Sequence, residues 1–223
     1  MYPRCMRGFI PAIYPILDSS FLPATGRATF LDRLARSLAD AGVTLLEYRN
    51  KTATDAEVLA DAKALRDAMP AGQVRLVMDD RVDVALAAGF DGVHVDSGDL
   101  PPAIARRLMG SGRIVGTSAS DSAQLCQALG EPVNYIAFGP IFPTTTKQTS
   151  AKPIGIEGVT QFRAMAGREA ILVAAAGITL ETAASVLSAG ADSVAVAAAI
   201  FAHPDPAAEF SRWATALDSI AAK

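Results

Sequence analysis

The chain is poor in the residues that build covalent scaffolds and metal cages. Of its 223 residues, two are cysteine (Cys5 and Cys126) and two are histidine (His94 and His203). No Cys-x-x-Cys spacing occurs, which excludes a disulfide framework and a cysteine-built zinc site. Two isolated histidines exclude a multi-histidine metal centre. A Gly-x-Ser-x-Gly elbow is missing, and neither histidine has the partners of a Ser-His-Asp triad. An excess of positive charge is missing too. Lys and Arg total 20 against 23 Asp and Glu, a formal net charge of −3, which argues against a nucleic-acid partner. The apolar stretches Ala170 to Ile178 and Val194 to Ala202 fall short of the roughly 18 residues that span a bilayer. Arg4 and Arg7 precede the apolar run Gly8 to Leu17, but Pro11 and Pro15 interrupt it and Asp18 ends it without a small-residue cleavage site. We read a first strand there rather than a signal segment. No membrane partner is expected, and the scarcity of cysteine fits the cytoplasm.

Hydrophobic residues make up 51% of the chain and charged residues 19%, enough apolar material for one sizeable core. Short β-branched runs alternate with longer helical stretches. Strands are expected at Phe9–Leu17, Val43–Tyr48, Val74–Met78, Gly92–Val95, Arg113–Thr117, Asn134–Gly139, Ala170–Ala174 and Ser193–Ala197. Between them run helical patterns: Phe30, Leu31, Leu34, Leu38 and Ala41, stopped by Gly42; then Val58, Ala62, Leu65 and Met69, opened by a Thr54/Glu57 capping box. Pro101 and Pro102 open a helix through Met109, and further helices follow near Asp121–Leu129, Glu157–Ala166 and Leu180–Ala189. Asp205 and Pro206 cap a last helix with the stripe Phe210, Trp213, Leu217 and Ile220. Eight such strand–helix units imply a parallel sheet covered by helices, and eight close into a (β/α)8 TIM barrel. An open doubly wound sheet is second choice, because Gly-x-Gly-x-x-Gly does not follow the first strand. No linker or charge block divides residues 1–223, so a single domain is expected.

In such a barrel the chemistry belongs at the C-terminal ends of the strands. Glu47, Arg49 and Lys51 alternate along the second strand and its exit, so they share one face. One anion and two cations there suit an anionic ligand such as a phosphate, or make a local ion pair. Asp79 and Asp80 leave the third strand, and Asp96 and Asp99 follow the fourth. Carboxylates on neighbouring strands suit Mg²⁺ together with substrate phosphates, although Asp80 and Asp99 also sit where helix caps would be. Thr144, Thr145, Thr146 and Lys147 follow a Gly139-Pro140 turn and offer hydroxyls and a cation to an oxyanion. Gly177, Ala197 and Ala198 lie in the loops after strands seven and eight, which often hold a phosphate on backbone N–H groups. Gly177 permits close backbone approach or simply starts a helix. His94 reads as a satisfied core histidine and His203 as a surface residue.

These pieces occur together and in order: Glu47-Tyr48-Arg49-Asn50-Lys51, Asp79-Asp80-Arg81-Val82-Asp83, Asp91-Gly92-Val93-His94 with Asp99-Leu100-Pro101, Gly116-Thr117-Ser118, and Gly139 to Lys147. The sequence resembles the thiamine phosphate synthase family from the first strand to the eighth. The resemblance implies coupling of 4-amino-2-methyl-5-hydroxymethylpyrimidine diphosphate to a hydroxyethylthiazole phosphate, plain or carboxylated, with release of diphosphate. The pyrimidine C–O bond would ionise first and the thiazole nitrogen would trap the cation. It further implies that Arg49, Lys51 and Lys147 hold the diphosphate with Ser118 nearby, and that Asp80 and Asp99 hold Mg²⁺. Thr144 and Thr146, with the backbone near Gly177, would meet the thiazole phosphate. The expected partners are small phosphorylated substrates, with a homo-oligomer left open.

The sequence departs from the family pattern at several of these positions. Glu47 stands for the usual Gln and Asp79 for Asn. Asp96-Ser97-Gly98 stands for Gly-Gln-Glu, Ala176-Gly177 for Gly-Gly, and Ala198 for Ser. Two other readings compete. A related thiazole tautomerase would need a histidine near the end of strand five, where Thr117-Ser118-Ala119-Ser120 stands. The other is a non-catalytic barrel that binds phosphorylated ligands.

Overall fold

The computed structural model describes residues 9–69, 71–144 and 151–221. Eight parallel strands close into a barrel in sequence order: β1 (Ile13–Asp18), β2 (Leu45–Arg49), β3 (Arg75–Asp79), β4 (Gly92–Val95), β5 (Ile114–Ala119), β6 (Tyr135–Phe138), β7 (Leu172–Ala175) and β8 (Ser193–Val196). β8 returns to β1 through Ile13↔Val194, which closes the ring. Outside lie α1 (Arg27–Asp40), α2 (Asp55–Ala68), α3 (Val82–Ala87), α4 (Pro102–Met109), α5 (Ser122–Leu129), α6 (Gly155–Ala166), α7 (Leu180–Ser188), α8 (Ala198–Phe201) and α9 (Pro206–Ala221). The expected TIM barrel is therefore present.

The strands read as apolar runs because both faces are covered. Outward side chains such as Leu17, Leu46, Tyr48, Met78, Val93 and Phe138 join the helix stripes in the main core, which includes Leu31, Leu65 and Trp213. Inward side chains form a second, smaller cluster around Tyr14, Leu45, Val77, Tyr135 and Val173. Gly116 makes room for this inner layer: a Cβ there would lie 2.1 Å from the Tyr135 ring. Local signals place the helices. Thr54 and Glu57 form the expected capping box on α2, and Asp121 accepts from Gln124 N–H at the start of α5.

Three expectations need correction. β1 begins at Ile13 rather than Phe9, after Pro11, whose nitrogen carries no N–H for a ladder. The four-residue α8 stands between β8 and the last helix, where no separate element was expected; a run of small residues carries too little periodicity to announce it. Neither Asp80 nor Asp99 caps a helix. The residues preceding α3 and α4 are Arg81 and Pro101, and neither makes a side-chain cap bond. The side chain of Ile220 lies outside the described residues.

Candidate active site

The strand register sets the site. Asp18 pairs with Arg49 across β1 and β2, and Asp79 pairs with His94 across β3 and β4, so their inward side chains meet at the C-terminal mouth. Arg49 ion-pairs with Asp18 through Nη1 and lies 3.2 Å from Asp79 Oδ2 through Nε. Lys51 Nζ reaches the same Asp79 oxygen at 3.2 Å and also pairs with Asp80. Glu47, Arg49 and Lys51 thus climb one side of the barrel as their spacing predicts. Asn50 sets the last of them. It is buried, donates to Tyr48 OH at 2.9 Å, and accepts from the N–H groups of Thr52 and Ala53 at 3.2 and 3.1 Å. The strand exit is thereby turned so that Lys51 faces the mouth.

Below this charged rim lies a hydrogen-bonded floor. Tyr14 OH donates to Glu47 Oε2 at 2.8 Å and lies 3.0 Å from Tyr135 OH. Tyr135 OH lies 3.0 Å from His94 Nδ1, and His94 Nε2 lies 2.9 Å from Ser118 Oγ and 3.4 Å from Asp96 Oδ1. His94 is the satisfied buried histidine that was expected, but it also faces the site. Burial pushes the Glu47 carboxyl up to about 7, with the Asp79 charge adding to the rise and His94 opposing it. Burial likewise raises Asp79, against the pull of His94 and Lys51. For His94 burial acts downward, yet the hydrogen bond to Asp96 and the charges of Glu47 and Asp96 carry its pKa above the ordinary value. The hydroxyls of Tyr14 and Tyr135 are pushed far up, first by burial and then by Glu47.

Three connected cavities open at this end of the barrel. One of about 600 Å³ is lined by Asp18, Arg49, Thr144, Gly177, Ala197 and Ala198. One of about 280 Å³ lies between Ser118, Asp96 and Thr144, and one of about 100 Å³ reaches down to Glu47, Asp79 and His94. Arg49 and Ala195 border both the first and the last, and Ser118 and Asp96 join the other two. Arg49, Ser118, Glu47, Asp79, Thr144, Gly177, Ala197 and Ala198 are therefore brought together. Thr145, Thr146 and Lys147 lie outside the described residues. A separate cavity of about 300 Å³ sits at the opposite end, beside Phe9, Asn134 and Ile171, and no expected site residue reaches it.

Gly177 has a second task. It sits at φ +69°, and a Cβ there would meet the carbonyl oxygens of Pro143 and Phe142 at 2.5 and 2.6 Å. Its lack of a side chain seats the β6–α6 loop as well as opening the cavity wall. Ala176, just before it, also adopts a positive φ of 74°.

Asp80 and Asp99 leave neighbouring strands at the mouth. Asp80 holds a left-handed φ of 63°, its N–H bonded to His94 O at 2.7 Å, and its carboxylate faces Lys51. Asp99 Oδ2 accepts from Asp96 N–H at 2.8 Å. Among the described residues no three His, Cys, Asp or Glu side chains form a protein-only metal cage. Both side chains are thus engaged with protein partners, Asp80 with Lys51 and Asp99 with the Asp96 N–H, and carboxylate oxygens are the donor type that hard divalent cations take.

Sequence reasoning missed Tyr14, Asp18 and Tyr135 as site residues. Inward parity could have found them: Tyr14 lies two residues before Ile16 and four before Asp18, all on one strand face.

A family model, thiamine monophosphate synthase, matches residues 13–200, a stretch that holds every strand and every site residue above. The chain belongs to the thiamine monophosphate synthase family. It is 42% identical over 196 residues to the thiamine-phosphate synthase of Koribacter versatilis (strain Ellin345), covering 87% of this chain and 91% of that one. Identity to the thiamine-phosphate synthase of Agrobacterium fabrum is 39% over 192 residues, 85% of this chain and 87% of the relative. A solved thiamine phosphate pyrophosphorylase from Pyrococcus furiosus superposes with a TM-score of 0.79 at 25% identity, covering 94% of this chain and 96% of its own. No helix of the described residues is long and apolar enough to cross a membrane.

Proposed function

We propose that this chain joins 4-amino-2-methyl-5-hydroxymethylpyrimidine diphosphate to a hydroxyethylthiazole phosphate and releases diphosphate, in thiamine biosynthesis. The observation that carries this reading is the convergence of Arg49 and Lys51 on Asp79, with Arg49 lining both the large cavity and the small one beneath it, in a chain of this family.

The chemistry follows from charge. The bond between the pyrimidine methylene carbon and the diphosphate oxygen breaks, and its electron pair leaves with the diphosphate. Arg49 and Lys51 stabilise that developing negative charge, with Lys147 as a third cation and Ser118 as a hydroxyl donor. The thiazole nitrogen then gives its lone pair to the methylene carbon, so the new C–N bond needs no general base. Thr144, Thr145, Thr146 and the backbone at Gly177, Ala197 and Ala198 hold the thiazole phosphate. The floor of Glu47, Asp79 and His94 holds the pyrimidine ring.

The residues also fit Mg²⁺. Asp18, Asp79 and Asp80 already engage Arg49 and Lys51, and a mouth so rich in carboxylates repels a diphosphate unless further positive charge arrives. Asp80 and Asp99 would hold the ion, which supplies Lewis-acid charge to the leaving diphosphate. The decisive assay follows diphosphate release from the purified chain. Release that needs both substrates and Mg²⁺ supports the reading, whereas no release under any combination refutes it.

A further inference from the structure

The small cavity under the charged rim has one polar group poised unlike the rest. Glu47 is 4% exposed, and its Oε2 accepts the hydroxyl proton of Tyr14 at 2.8 Å. Tyr14 has one proton to give, so its oxygen accepts from Tyr135, 3.0 Å away. With that proton spent, Tyr135 accepts from His94 Nδ1–H at 3.0 Å. The chain of donors is therefore directed, and it ends at Oε2 as an acceptor. A proton taken up by Glu47 goes on Oε1, the oxygen that Tyr14 does not hold, and Glu47 lines the cavity of about 100 Å³.

The groups around Glu47 are Tyr14 on β1, Arg49 on its own strand β2, Asp79 on β3, His94 and Asp96 on or just after β4, Ser118 on β5 and Tyr135 on β6. β7 and β8 present Val173, Ala175 and Ala195, which carry no charge.

We propose that Glu47 determines which ring this site accepts, by sharing a single proton with an amidine-type edge, a ring nitrogen next to an exocyclic amino group. The amino group donates to the carboxyl. The one remaining proton lies between Oε1 and the ring nitrogen, starting from either partner. An ionised carboxylate facing an unprotonated ring nitrogen sets acceptor against acceptor, so the fully deprotonated pair does not bind. The upward shift of the Glu47 carboxyl to about 7 places this proton within the working pH range. The inference rests on the aminopyrimidine of the proposed function, and it deepens that reading from charge to ring edge.

The test uses 4-amino-5-hydroxymethyl-2-methylpyrimidine, the substrate without its diphosphate, in titration calorimetry from pH 6 to 9 without Mg²⁺. Two buffers of different ionisation heat count the protons. Wild-type affinity is expected to fall about tenfold per pH unit on the alkaline side, with close to one proton taken up per ring bound. Glu47→Gln, whose amide both donates and accepts, is expected to bind with a flat pH profile and no such uptake. The wild-type proton count decides the question even if the variant folds poorly. A wild-type profile that is flat, or that superimposes on the variant's, overturns the inference and leaves the synthase reading standing if diphosphate release is still observed. Failure of the pyrimidine to bind either protein, with no diphosphate release, overturns both.

Discussion

Tyr14 and Tyr135, 121 residues apart in sequence, meet hydroxyl to hydroxyl at 3.0 Å inside the barrel. Their rings pack edge to face at 5.7 Å, and Tyr135 also stacks on His94 at 5.5 Å. This contact ties β1 to β6 through the middle of the molecule and links Glu47 to His94. Tyr135→Phe keeps the packing but strands the Nδ1–H of His94 and an acceptor on Tyr14. A loss of about 1–3 kcal/mol is expected in urea unfolding. An unchanged midpoint and slope would show that the hydroxyl is not part of the framework.

Arg49 serves two carboxylates from two different atoms, Nη1 toward Asp18 and Nε toward Asp79. A lysine is a single point donor and cannot reproduce both. Arg49→Lys is expected to lower kcat/KM for diphosphate release by roughly 100-fold, with most of the loss in kcat. Steady-state release assays measure this, and a near-normal kcat would remove Arg49 from leaving-group stabilisation. Lys147→Ala in the same assay is expected to fall as steeply.

Asp80→Ala and Asp99→Ala are expected to make turnover demand far more Mg²⁺, and a chelator should abolish wild-type activity until Mg²⁺ is restored. Magnesium titrations of initial rate check this. Wild-type Mg²⁺ dependence in both variants would place the ion elsewhere.

Ala176 holds a φ of 74°, a conformation in which a Cβ crowds the backbone. Ala176→Gly is expected to raise stability by about 0.5–1 kcal/mol and to improve KM for the thiazole phosphate, because the wall of the large cavity loses a methyl group. Thermal unfolding and substrate titration read the two effects separately. A fall in stability would mean that the surrounding loop imposes no strain on Ala176.

The pH dependence of stability follows from Glu47. Its carboxyl sits near 7 in the folded chain against an ordinary 4.5, so the folded state keeps a proton that the unfolded chain releases. That contribution is fully present below about pH 4.5 and is lost as pH rises through about 7. Glu47→Gln removes the titration. At pH 8 the variant should unfold at a temperature about 2–8 °C above wild type, from a gain on the order of 1–3 kcal/mol. Near pH 4 the two should agree closely. Parallel melting curves across that range would show that Glu47 titrates normally.

The order of residues dictates the strand–helix alternation, and with it the barrel, because apolar periodicity, capping boxes and Gly or Pro stops are local signals. It also determined that Glu47, Arg49 and Lys51 share a face, since a strand alternates regardless of its neighbours. The pattern could not show that Asp79 sits beside His94, that Asp18 answers Arg49, or that Asp80 faces Lys51 instead of capping α3. Those pairings depend on the stagger between strands far apart in the chain. The raised carboxyl of Glu47 has the same origin: one residue among apolar neighbours in sequence becomes a buried acid only when β1, β3, β4 and β6 close around it.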